Sequence, residues 1–158
     1  MNNGMLKWCS SVNTLNLRNY PEQTTIDDSG LMYLKQVEEC NLRGNSSITD
    51  SGLQYLSNVK WIDLSNCVLI TGEGFTYLKK VETILLDNLQ HVNYDTLDDL
   101  LNLKVISAYG SKMSPNTVSV LQARGIIVIN EHNFNSEQHL CHLKQCDPKK
   151  IKHLTPMP

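Results

Sequence analysis

Val37, Val59, Val81 and Leu103 stand a constant 22 residues apart, and each opens the same phrase of apolar and polar residues. Written out, the phrases are VEECNLRGNSSITDSGLQYLSN, VKWIDLSNCVLITGEGFTYLKK, VETILLDNLQHVNYDTLDDLLN and LKVISAYGSKMSPNTVSVLQAR. A longer copy precedes them from Val12 and a degenerate one follows from Ile126. A unit this short cannot bury its own apolar face. A period between about 20 and 50 residues therefore demands a solenoid, in which each unit is buried only against its neighbours.

Within a unit, apolar residues fall at the first, fourth and sixth positions, as in Val59, Ile62 and Leu64 or Val81, Ile84 and Leu86. The last two alternate with the period of a short strand that buries one face. Farther on come Ile48, Ile70, Val92 and Met113, and then pairs spaced by three: Leu53 and Leu56, Phe75 and Leu78, Leu97 and Leu100, Val118 and Leu121. Such a pair belongs to a short helix with one face inward. Just before each helix stands Asp27, Thr49, Thr71, Asn93 or Ser114, whose side chains can accept from an unpaired N–H of the first turn. Pro115 takes a first helical position, where a missing N–H costs nothing. The expected architecture is α/β: parallel strands stacked on a concave face and short helices on a convex one, in about six units across residues 12–144. Residues 1–11 read as a thin N-terminal cap in which Leu6 and Trp8 alternate as in an irregular strand, and 145–158 as a C-terminal cap and tail. Six strands about 4.8 Å apart would make a concave surface roughly 25 to 30 Å long.

The stretches NLRGNSSITDSGLQYL and DLSNCVLITGEGFTYL resemble the cysteine-containing leucine-rich repeats, in which a leucine strand and an Asn or Cys lead through Ile-Thr-Asp-x-Gly-Leu into a helix. The Asn or Cys position reads Tyr20, Asn45, Cys67, Leu89 and Ser111 here, so two units keep it. The resemblance implies a horseshoe fold and use as a substrate-recognition arm of ubiquitin ligases or as a host-directed effector of an intracellular bacterium.

A net charge of −2 and a pI near 6.2 give no general attraction to phosphate backbones or anionic membranes, so neither nucleic acid nor membrane is an expected partner. No apolar run approaches the roughly 20 residues that span a bilayer, and MNNGMLKWCSS has no secretory core. Five scattered cysteines argue for a reducing compartment, with Cys40 and Cys67 as small buried residues. The sequon at Asn45 is then not expected to be used. The expected location is the cytoplasm, or the host cytosol for a bacterial effector. The expected partner is another protein, with self-association through repeat edges as a further possibility. No cofactor is expected.

Strand positions that alternate with the buried ones form columns on the concave face. The third-position column reads Thr14, Glu39, Trp61, Thr83 and Val105. The fifth reads Asn16, Asn41, Asp63, Leu85 and Ser107, and the seventh Arg18, Arg43, Ser65, Asp87 and Tyr109. Trp61, Leu85, Val105 and Tyr109 are large and core-independent by this count. They form a candidate partner-binding patch centred on Trp61, Leu85 and Tyr109, with Arg43 and Asp63 or Asp87 choosing orientation and Arg18 beside Arg43 at one end. The alternative is that Trp61 folds flat over its neighbours and Leu85 is merely tolerated. Arg18 and Arg43 could grip a carboxylate or phosphate, or Arg43 could lean on Glu39 or Asp63. Asn19, Gly44, Asn66, Asn88 and Gly110 read as turn residues.

Near the C-terminus, His139, His142 and Cys146 fall at helical spacing that zinc could use, although the spacing matches no standard finger. Cys141 and His142 are adjacent, about 100° apart around a helix, and so cannot form a direct nucleophile–base pair. An enzyme is not expected.

Overall fold

The computed structural model describes residues 2–19 and 26–131. The expectations for Tyr20, the zinc triad, the Cys141–His142 pair and the C-terminal cap lie outside the described residues.

Six strands, β1 (Thr14–Asn16), β2 (Glu39–Asn41), β3 (Trp61–Asp63), β4 (Thr83–Leu85), β5 (Val105–Ser107) and β6 (Ile127–Ile129), form one parallel sheet in chain order. The sequence columns are the register: Glu39 pairs Trp61, Trp61 pairs Thr83, and Thr83 pairs Val105. Between strands run α2 (Asp28–Leu31), three 3-10 helices (Asp50–Leu56, Glu73–Tyr77, Tyr94–Asp99) and α3 (Pro115–Ala123). The fold is an α/β leucine-rich-repeat solenoid.

The 3-10 form of the three central helices suits the spacing of their inward pairs. Three residues per turn place positions i and i+3 directly above one another, and that is the spacing of the inward pairs. Leu53, Leu56, Phe75, Leu78, Leu97 and Leu100 are all fully buried. Together with Val59, Ile62, Leu64 and their equivalents they form one continuous core along the stack.

Four of the five expected caps form: Asp27, Thr49, Asn93 and Ser114 accept from the N–H of Ser29, Ser51, Asp95 and Thr117. Thr71 does not cap. Its helix starts one residue later, at Glu73 after Gly72, and Thr71 Oγ1 donates to Asp50 of the preceding unit instead. The N-terminal cap also differs from expectation. Residues 3–6 form α1 (Asn3–Leu6), followed by a 3-10 turn (Lys7–Cys9), not a strand. Asn2 accepts from Met5 N, which starts a helix. Asn3 then donates to Asp27 Oδ1 and Ser29 Oγ, tying α1 to α2. Leu6 is buried there and Trp8 is exposed.

The turn column does what its residue types suggest. Gly44, Asn66, Asn88 and Gly110 all have positive φ. A Cβ on Gly44 would lie 2.9 Å from Asn19 O, whereas one on Gly125, at the same φ of +79, would meet nothing within 4 Å. Gly125→Ala is therefore expected to cost about 1 kcal/mol from backbone strain alone, and Gly44→Ala about 2 kcal/mol or more. Urea denaturation of both variants checks this, and equal losses would remove the steric part. The Asn or Cys column is a ladder to the preceding strand's carbonyls. Asn45 Nδ2 donates to Leu17 O and Leu42 O at 2.8 Å, Cys67 Sγ to Leu42 O at 3.1 Å, and Ser111 Oγ to Leu86 O at 2.7 Å. Asn45 is buried, so its sequon is closed in the folded protein.

Just before the strands lies a second column, Glu38, Lys60, Glu82 and Lys104. Lys60 Nζ is 2.9 Å from Glu38 and Lys104 Nζ 2.7 Å from Glu82. The Glu38 hydrogen bond and charge raise the Lys60 ammonium above its usual range, with Glu82 adding to the effect.

Candidate functional site

The concave face is built by the outward strand positions and the residues that follow each strand. Alternation puts Leu15, Cys40, Ile62, Ile84 and Ile106 inward and the third- and fifth-position columns outward. Tyr109 is exposed at 46%, and Trp61, Arg18, Arg43 and Asp87 are half-buried. Leu85 and Val105 depart from expectation: they are only 3% and 7% exposed, and Asp63 is fully buried. Each is flanked in register on both sides, Leu85 by Asp63 and Ser107, and Val105 by Thr83 and Ile127. Alternation tells which face a side chain occupies, not how much of it its row-mates cover. The face accessible to a partner is therefore narrower than the sequence columns suggest, with Trp61, Tyr109, Arg43, Arg18 and Asp87 at its surface and Leu85 and Val105 covered.

The fifth-position polar residues also have local work that sequence reasoning missed. Asn16 accepts from Arg18 N, Asn41 from Arg43 N, and Asp63 from Ser65 N, each two residues ahead, so these side chains fix the chain as it leaves the strand. The small polar residues between a large neighbour and a turn were the available signal.

Arg43 does lean on acids, as one of the alternatives had it. Its Nη1 lies 4.0 Å from Asp63 Oδ2 and 3.9 Å from Asp87 Oδ2. Asp87 Oδ1 accepts from Ser107 Oγ at 2.6 Å and Tyr109 N at 3.0 Å. Asp63 Oδ1 accepts from Ser65 N at 2.9 Å, while its Oδ2 is buried without a hydrogen bond. Burial pushes the Asp63 carboxyl above its usual 3.8, while Ser65 and the Arg43 charge oppose the rise and Asp87 adds to it. A carboxyl raised in the folded state holds its proton more tightly there. Its contribution to stability is present below the ordinary value and is lost as pH rises through the raised one. Asp63→Asn is therefore expected to gain on the wild type in melting temperature between about pH 3.5 and pH 7. A gap that stays constant or narrows with rising pH would show that the carboxylate is well compensated.

Cys40 and Cys67 are buried thiols, both pushed up to about 12 chiefly by burial, so neither is a nucleophile at neutral pH. Among the described residues, no three histidine, cysteine or acidic side chains are grouped to hold a metal. No helix among them is long and apolar enough to cross a membrane. Outside the concave face, Trp8, Val68, Leu69, Tyr77 and Leu101 are exposed.

No family model matches the sequence, and no curated protein matches it. Among solved structures, the fold is similar to a chain of the yeast Rad7 and Elc1 complex, with a TM-score of 0.52 at 19% sequence identity. The match covers 73% of this chain and 32% of the other, so this chain spans about a third of the length of that neighbour. At that identity the likeness concerns the fold, and it agrees with the repeat architecture derived above.

Proposed function

We propose that this chain is a non-catalytic module that holds another protein against its concave face. The observation that supports the reading most is the grouping on one open sheet face of an exposed Tyr109, a half-buried Trp61 and the Arg43–Asp87 ion pair. These are the residue types that anchor protein interfaces. Leu85 and Val105, covered on the same face, add little accessible surface of their own, and Arg18 extends the charged margin. Neither nucleic acid nor a membrane is part of this proposal. We place the protein in a reducing cytosol, that of a host cell if it is a bacterial effector. The reading rests on the scattered placing of the cysteines, with Cys40 and Cys67 buried as small core residues.

Affinity purification from a eukaryotic cell lysate, wild type beside a Trp61→Asp, Tyr109→Ala double variant, tests the proposal. A specific protein is expected to be retained by the wild type and lost with the variant. Identical retained sets, with the variant still folded, would overturn the concave-face reading and favour self-association through repeat edges.

The second reading is an adaptor, including the recognition arm of a ubiquitin ligase, in which a separate subunit carries the chemistry. It draws support from the similar chain being one of a two-protein complex. Co-purification of a second, Trp61-independent subunit is its expected signature.

A further inference from the structure

We propose that the Arg43–Asp63–Asp87 cluster receives a lysine side chain of the bound protein, an inference that rests on the protein-binding reading of the concave face. With Asp63 ionised, two carboxylates oppose one guanidinium, so the cluster then has a negative charge to spare. Arg43 Nη1 stands 4.0 Å from Asp63 Oδ2 and 3.9 Å from Asp87 Oδ2, too far to hydrogen-bond to either. The opposite oxygens are committed, Asp63 Oδ1 to Ser65 N and Asp87 Oδ1 to Ser107 Oγ and Tyr109 N. Asp63 Oδ2 is thus a fully buried acceptor aimed into the cluster with no donor, an arrangement that costs stability until a donor arrives.

The route in is through Asp87. Its side chain is 20% exposed and that of Arg43 26%, while Asp63 is covered. An ammonium seated on Asp87 Oδ2 repels the Arg43 guanidinium toward Asp63, which closes the 4.0 Å gap and supplies the missing donor. The arriving cation and the orphaned oxygen are satisfied together. Lysine suits this better than arginine. A guanidinium fork binds best to both oxygens of one carboxylate, and here each carboxylate has one oxygen already committed, whereas a compact ammonium with three donors serves single oxygens. An anionic group would meet the spare negative charge and be repelled.

The backbone amides of Ser65 and Tyr109 report on the two carboxylates directly. In the ¹⁵N-labelled full chain, a lysine pentapeptide blocked at both ends is expected to shift both amides saturably. The same peptide acetylated on every side-chain amine is expected to leave them unmoved. Asp87→Asn, which keeps an acceptor for Ser107 and Tyr109, is expected to weaken binding at least tenfold. Arg43→Gln, which removes the competing cation, is expected to strengthen it several-fold, so the two variants move affinity in opposite directions. Equal responses to the two peptides, unchanged affinity in Asp87→Asn, or no gain in Arg43→Gln would overturn the assignment. Replacing Lys149, Lys150 and Lys152, three lysines of the C-terminal stretch 145–158, by glutamine provides a further arm. If that alone shifts the same amides with no peptide added, the occupant is this chain's own sequence and a partner lysine is overturned. Should the peptide fail while a protein is still captured through Trp61 and Tyr109, the lysine assignment falls and the concave-face reading stands. Failure of both removes both.

Discussion

Replacing Phe75 with alanine is expected to lower the free energy of unfolding by about 3–5 kcal/mol, the largest effect of any single truncation considered for this chain. Among the described residues, Phe75 is the bulkiest of the fully buried side chains. Its helix, Glu73–Tyr77, packs between the helices Asp50–Leu56 and Tyr94–Asp99, so a cavity there has structured neighbours on both sides and little freedom to collapse. In a stack where each unit leans only on the next, the loss also weakens the coupling between the two halves. Chemical denaturation followed by far-UV circular dichroism should show a lower midpoint and a broadened transition. Leu101→Ala is the control: at 86% exposed, its side chain has little to lose, and a change within about 0.5 kcal/mol is expected. Comparable losses in the two variants would mean that Phe75 does not join the repeats as described.

Asp50→Ala is expected to cost about 2–4 kcal/mol even though the side chain is not buried. One carboxylate accepts from Thr71 N at 2.8 Å, Gly72 N at 3.0 Å, Gly74 N at 2.8 Å and Thr71 Oγ1 at 3.0 Å. Those amides belong to the start of the next unit's helix, where no side chain of that unit provides a cap. Asp28 makes the same kind of link one unit earlier, to Thr49 N and Thr49 Oγ1. With two bonds in place of four, Asp28→Ala is expected to cost about half as much. Asp50→Asn, which keeps one acceptor oxygen, should fall between wild type and alanine. The ranking of the three variants in urea is the check, and a negligible Asp50→Ala effect would assign the cap to solvent.

The same link explains a part of the structure that the sequence did not disclose. Thr71 is a good capping residue in the right place, yet Asp50, which lies 21 residues earlier, reaches it first. A capping rule considers neighbours along the chain, and in a repeat the nearest neighbour is often one unit away. The strands were legible almost to the residue, because a fixed period carries the register from any one unit to all the others. The turn residues were legible too, since Gly44, Asn66, Asn88 and Gly110 share the one backbone region that favours their types. The first turn of the chain was not: Leu6 and Trp8 have no copy elsewhere to set their phase, and the cap of Asn2 on Met5 decides for a helix. On the candidate surface, membership of the concave face was readable and exposure was not. Leu85, Val105 and Asp63 occupy outward positions yet are covered, and only three-dimensional packing of the rows reveals it.

The column of Glu38, Lys60, Glu82 and Lys104 alternates in sign, so the backbone repeats after one unit while the charges repeat only after two. Excising a single unit between Glu38 and Glu82 would leave the remaining strands in register and place two glutamates side by side. Excising two would set Glu38 against Lys104 and restore the pairing. The unit of geometry and the unit of charge are thus different sizes: rearrangements of this solenoid that add or remove repeats in pairs keep its charge grammar, and odd ones break it.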